Sequence, residues 1–164
     1  MNNIRNISKA MRVFCFVTFT VMSIALPLFV FYALTATETS SLVHFDFSLA
    51  LPITSKMILI LPYSLAWLFF LFVTYFLYRF FDSLSLGQIF TLQNVQLLRK
   101  SSCFYFAGNV IYILSSMIVF FGFPDLRLQE KFHLHLKLQM FLVPIFLFLV
   151  SSIIHEGQKL KEAQ

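Results

Sequence analysis

Residues 57–78 read MILILPYSLAWLFFLFVTYFLY and contain no Asp, Glu, Lys or Arg. A helix needs about 20 such residues to cross a bilayer core of about 30 Å. Three further stretches of the 164-residue chain have the same character, namely those between Arg12 and Glu38, between Lys100 and Asp125, and between Lys137 and His155. The pattern therefore predicts an all-α membrane protein with four transmembrane helices.

The composition supports a bilayer as the solvent of this chain. Hydrophobic residues make up 59% of it and charged residues 12%, whereas soluble domains contain about 45–50% and about 25%. A soluble domain of this size has too much surface to bury so large an apolar share. We expect one four-helix domain over residues 1–164, with no separate soluble catalytic domain.

The charged residues delimit the predicted spans. We place the spans at about 12–34, 56–80, 101–123 and 138–155, with a polar linker at 81–100 between the second and the third. The first apolar run is too long for the core of a signal peptide, so we expect it to remain as a span.

Lys and Arg are distributed unevenly between the two sides of these spans. Eight of the twelve lie in the N-terminal arm, in or beside the linker and in the C-terminal tail: Arg5, Lys9, Arg12, Arg79, Arg99, Lys100, Lys159 and Lys161. Cytoplasmic loops carry the excess of Lys and Arg. The bias predicts an N-in, C-in protein of the plasma membrane whose basic residues meet anionic lipids. No basic run exceeds two residues, so we expect no nucleic-acid partner.

The two outer loops alternate apolar and polar residues, at 43–51 and at 131–138. Alternation with a period of two is typical of a strand that has one buried face. The two segments could pair as a small extracytoplasmic β-cap on the helix ends. The alternative is that residues 131–139 begin the fourth helix.

Histidine occurs on the polar positions of these segments. His44, Asp46, His133 and His135 would share the polar side of the predicted cap, and such side chains are suitable ligands for Zn²⁺ or Cu²⁺. Histidine is also ordinary on the wet face of an exposed strand. We therefore predict no metal, cofactor or catalytic site, and keep these four residues as the alternative.

The linker contains the most distinctive local pattern, residues 86–100, which read LGQIFTLQNVQLLRK. Gly87 suits a tight turn, and Thr91 is a suitable helix N-cap. Apolar residues then recur at helical spacing. The pattern predicts a turn and an amphipathic helix that continues into the third span, serving either as a membrane-surface connector or as the docking segment for a cytoplasmic protein.

This linker resembles the bacterial domain-of-unknown-function 2975 family of small four-span membrane proteins. The residues that match the family pattern are Gly87, Phe90, Thr91, Asn94, Leu98 and Arg99, and residues 156–160 are similar to the family's charged end. The resemblance implies a bacterial inner-membrane protein and no established activity. Members are often encoded beside a small helix-turn-helix regulator, which implies a regulatory protein partner.

Between their ends, the predicted spans contain polar residues of the neutral kind only. Without a buried ionisable group the chain lacks the usual marks of a proton-coupled transporter, and without histidine pairs it lacks the ligands of a four-helix haem protein. We expect no enzyme. Asn109 is the most costly of the neutral residues to leave unpaired in lipid, so we expect it to face another helix.

The function predicted from these features is that of a regulatory or accessory membrane module that acts through its linker or its outer loops. One alternative is a channel or facilitator formed by a homo-oligomer, because a single four-helix unit has little room for a pore. The other is a membrane enzyme with a metal at the outer-loop histidines.

Overall fold

The computed structural model describes residues 2–35, 53–122 and 138–162, and these residues form four helices. They are α1 (Asn2–Thr35), α2 (Ile53–Ser85), α3 (Leu92–Gly122) and α4 (Gln139–Glu162). All four are long and apolar enough to cross a membrane. The prediction of an all-helical membrane fold with four spans is confirmed for the described part of the chain.

The helices lie side by side in sequence order, and each neighbour runs antiparallel to the last. Between α1 and α2, Arg12 meets Asp82 near one end, and Phe29 stacks on Trp67 farther along. α2 packs on α3 and α3 packs on α4, whereas no Cα atom of α1 lies within 8 Å of α3 or α4 among the described residues. The arrangement is a row, with α1 at one edge.

One end of this row collects most of the described basic residues, and we call it the basic end. Here α1 begins, α2 ends, α3 begins and α4 ends. The helices extend past the predicted spans mainly at this end, because the N-terminal arm is helical from Asn2 and the C-terminal tail is helical to Glu162. The predicted amphipathic segment after Thr91 is the first part of α3, as expected.

Small and aromatic residues hold α2 against α3. A Cβ atom on Gly108 would lie 3.1 Å from Cβ of Phe69, so glycine permits this close approach. The rings of Tyr63 and Tyr112 meet edge to face at 5.7 Å, a favoured aromatic geometry. In lipid the hydrophobic effect does not drive helices together, because lipid tails are as apolar as the helix surfaces. Close van der Waals packing, which small residues at the interface permit, stabilises the helix pair instead.

A side chain of α3 replaces a backbone donor that α4 lacks. Pro144 has no N–H, so it cannot donate to the carbonyl oxygen of Met140 four residues earlier. Nδ2 of Asn109 donates to that oxygen at 3.2 Å, and the hydroxyl of Ser102 donates to the Pro144 oxygen at 2.7 Å. Freed backbone groups in membrane helices need such internal partners. The expectation that Asn109 faces another helix is confirmed.

This geometry predicts that Asn109 and Pro144 are energetically coupled. Asn109→Leu should lower the free energy of unfolding by about 1 kcal/mol in the natural chain, because the Met140 oxygen loses its partner. In a Pro144→Ala background the same change should cost much less, since the alanine N–H restores the helical bond. Unfolding titrations with sodium dodecyl sulfate on the four proteins of the double-mutant cycle measure the coupling. Equal costs in the two backgrounds would refute it.

Candidate functional site

The α2–α3 turn lies at the basic end and begins with a glycine-dependent helix stop. Gly87 has a φ of +83°, a conformation that residues with a Cβ rarely adopt. Its N–H donates to the Leu84 oxygen at 3.0 Å, and the N–H of Gln88 donates to the Ser83 oxygen at 3.2 Å. These two bonds form a Schellman motif, which satisfies carbonyls at the end of α2. The prediction of a tight turn at Gly87 is confirmed.

Thr91 caps the N-terminus of α3, as its sequence position indicates. Its Oγ1 accepts a hydrogen bond from the backbone N–H of Asn94 at 3.2 Å, and its carbonyl oxygen accepts one from the N–H of Val95 at 3.2 Å. A threonine hydroxyl at this position satisfies one of the amides that the first helical turn leaves without a partner.

The side chain of Asn94 ties the cap to the turn. Asn94 has no exposed surface, and its Nδ2 donates to the carbonyl oxygens of Gln88 and Ile89. The hydroxyl of Ser83 also donates to the Gln88 oxygen, at 3.3 Å. The end of α2, the turn and the start of α3 are therefore joined by one hydrogen-bond network.

Beneath this network lies an apolar cluster that joins three helices. Its buried members are Phe80 of α2, Val95 and Leu98 of α3, and Ile154 of α4. Leu98 is 1% exposed, so this matched residue faces inward rather than toward a soluble partner, whereas the matched Phe90 is 43% exposed. Apolar contacts of this kind fix the three helix ends relative to one another.

The linker and the C-terminal segment meet in space. Phe90 of the linker lies over Gly157 of α4, and a Cβ atom on Gly157 would come within 2.5 Å of Cε1 of Phe90. Glycine at 157 is therefore needed for the ring to occupy this position. Phe90 of the linker and Gly157 of the tail thus belong to one structural unit.

Charged side chains surround this unit. Nη1 of Arg12 lies 2.8 Å from Oδ1 of Asp82 and links α1 to α2, although both side chains are more than a third exposed and such pairs contribute little stability. Arg99, the last of the matched residues, is exposed and has its Cζ 5.8 Å from the ring centroid of Phe148, within the range of a cation–π contact.

The turn also has an outward face. Leu86 is 68% exposed and Leu92 is 53% exposed, and Gln93 and Gln96 are exposed beside them. A docking segment in the linker would have to use these residues, because Asn94 and its buried neighbours serve the fold. The sequence pattern identified the linker segment, but it did not show which of its residues face inward and which face outward. It also did not reveal that Gly157 leaves room for the Phe90 ring.

The outer-loop predictions lie outside the described residues. This holds for the β-cap at 43–51 and 131–138, and for His44, Asp46, His133 and His135. Within the described part of the chain, no group of three or more His, Cys, Asp or Glu side chains is placed to hold a metal ion.

The fold is that of a multi-pass membrane protein with four antiparallel helices in a row. Comparison with protein-family models, with curated protein sequences and with solved structures gives no match to this chain.

Asn94→Ala should lower the free energy of unfolding by about 2 kcal/mol, because the Ile89 oxygen loses its Asn94 donor and the Gln88 oxygen keeps only the Ser83 bond in a buried place. Gln93→Ala is the matched control, since Gln93 is exposed on the same helical turn and should change stability by less than about 0.5 kcal/mol. Unfolding in detergent, followed by circular dichroism, compares the two. A loss no larger for Asn94→Ala than for Gln93→Ala would contradict the structural role.

Proposed function

We propose that this chain is a non-enzymatic regulatory or accessory protein of the bacterial inner membrane, which holds a cytoplasmic protein regulator at its basic end. The proposal places both termini and the α2–α3 turn in the cytoplasm. The excess of Lys and Arg at this end supports that orientation. The resemblance of the linker and tail to the domain-of-unknown-function 2975 family supports the regulatory role.

The proposal rests on one feature of the α2–α3 turn: its inner side is fixed by hydrogen bonds, and its outer side carries exposed leucines. Asn94 and the Schellman motif hold the backbone of the turn in one conformation. Leu86 and Leu92 stand out from that fixed backbone with most of their surface free. A rigid turn reduces the entropy lost when a partner binds, which favours its use as a recognition element.

The basic surroundings restrict the kind of partner that fits. Arg79, Arg99 and Lys100 are exposed near the turn. A partner with an apolar patch inside an acidic rim would match both features, since charge complementarity speeds association and selects among partners. The same basic residues would hold the turn near anionic headgroups of the cytoplasmic leaflet.

The row of helices favours a second candidate, the homo-oligomeric channel or facilitator. α1 packs on α2 alone among the described helices, so each copy has an edge that a second copy could cover. The described helices contain no Asp, Glu, Lys or Arg over residues 13–35, 57–78, 101–122 and 139–155, and such charges often line ion pathways. We therefore place the regulatory role first.

The test is a crosslinking pull-down of the tagged full chain from native membranes, with the captured proteins identified by mass spectrometry. The natural chain should capture a soluble DNA-binding regulator. A Leu86→Ser, Leu92→Ser variant should reduce that capture at least tenfold, because each buried leucine contributes about 1.5–3 kcal/mol to an interface. Its helix content should remain unchanged, since both side chains lie on the outer face.

Ile7→Ser is the control for this experiment, because Ile7 is 63% exposed on α1 at the same end of the row. It should leave the capture unchanged. Equal capture by the leucine variant and the natural chain would refute docking at the turn. Capture of further copies of this chain alone would contradict the proposal and support the channel.

A further inference from the structure

An apolar groove of about 510 Å³ runs between α3 and α4 near the basic end. Its volume lies in the range of about 300–1,000 Å³ that is typical of small-molecule sites. The walls are formed by Phe106 of α3 and by Phe141, Ile145, Phe148 and Leu149 of α4. All of these wall residues are at least 40% exposed in the single chain, so the groove is open on the side that faces the bilayer.

The groove has one charged end. Arg99 lines it nearest the basic end, and its guanidinium lies over the ring of Phe148, 5.8 Å from the centroid. The wall from Phe141 to Leu149 extends about 12 Å at 1.5 Å per helical residue. Half of a hydrocarbon core of about 30 Å is about 15 Å. The groove therefore spans most of one leaflet, with a cation at its headgroup end.

The polar groups of the groove restrict the occupant further. No carboxylate is among the lining residues, and the hydroxyl of Ser102 is already committed to the Pro144 oxygen at 2.7 Å. The free thiol of Cys103 also lines the groove but is only a weak donor, so Arg99 is the group that offers strong hydrogen-bond donors to a ligand. A guanidinium binds phosphate oxygens through paired, charge-assisted hydrogen bonds. An occupant that complements this groove has one apolar chain and one phosphate.

We propose that the α3–α4 groove binds a single anionic phospholipid, with one acyl chain along Phe141, Ile145 and Phe148 and its phosphate on Arg99. The apolar walls alone would accept a chain of any lipid, and Arg99 adds the preference for net negative charge. The site would lie beside the Asn109 and Ser102 bonds that join α3 to α4.

Fluorescence quenching by brominated lipids tests this site in the full chain. Trp67 is the only tryptophan, and Trp67→Phe removes its signal. Phe106→Trp then places one fluorophore in the groove. Val21→Trp places a reference fluorophore on α1, where Val21 is 58% exposed, lies outside the groove and stands nine residues from Arg12. Each protein is reconstituted in unlabelled phosphatidylcholine vesicles with a minor fraction of brominated phosphatidylglycerol or brominated phosphatidylcholine.

The groove tryptophan should show a preference for the brominated anionic lipid of about fivefold. This factor corresponds to about 1 kcal/mol for one basic side chain at a charged lipid surface. The reference tryptophan should show little preference. Comparing the two lipids at each position cancels differences in depth between the fluorophores.

Two further variants locate the charge that is responsible. Arg99→Gln should reduce the preference at the groove to the reference value, whereas Lys100→Gln should preserve it, because Lys100 is exposed but does not line the groove. The proposal is overturned if groove and reference tryptophans show equal preferences, or if the preference survives Arg99→Gln. Groove quenching below the reference with both lipids would also overturn it, because a protein segment or a second copy would then occupy the groove.

Discussion

A backbone carbonyl that lacks its helical donor and is shielded from water, by lipid or by packed side chains, must find another partner within the protein. At the α2–α3 turn, that partner is the buried amide of Asn94. Its Nδ2 donates to the oxygens of Gln88 and Ile89. The Thr91 hydroxyl accepts a hydrogen bond from the backbone N–H of the same asparagine. With these bonds made, the start of α3 is fixed against the end of α2, and the apolar cluster around Leu98 can bring in α4.

The same rule explains the middle of the α3–α4 interface. Pro144 removes one donor from α4, and Asn109 provides a replacement from the neighbouring helix. Two asparagines on α3 therefore have related tasks at different depths. Asn94 donates to carbonyl oxygens of the α2–α3 turn, and Asn109 donates to the carbonyl oxygen that Pro144 leaves without its helical donor. Both amides donate to main-chain oxygens rather than to a ligand, which explains their presence in an apolar chain without assigning either one to catalysis.

The sequence predicts the features of this structure that neighbouring residues determine, and it does not predict contacts between distant parts of the chain. The absence of charge over residues 57–78 predicts a span directly, and Gly87 and Thr91 reveal the turn and cap through local chemistry. The contact of Phe90 with Gly157 joins positions far apart in the chain, and no local pattern encodes it. The order of helices in the row is equally hidden, because lipid and helix partners are similarly apolar and give no burial pattern. The predicted outer cap and its histidines stay predictions.

The central claim is that the α2–α3 turn is a rigid unit that presents Leu86 and Leu92 on a fixed backbone. Hydrogen–deuterium exchange of the full chain in lipid nanodiscs tests it most directly at the amides of Gly87 and Gln88. Both donate within the Schellman motif, so they should exchange orders of magnitude more slowly than a free peptide, and Asn94→Ala should remove most of that protection. Exchange of the natural chain at the free-peptide rate would contradict the claim.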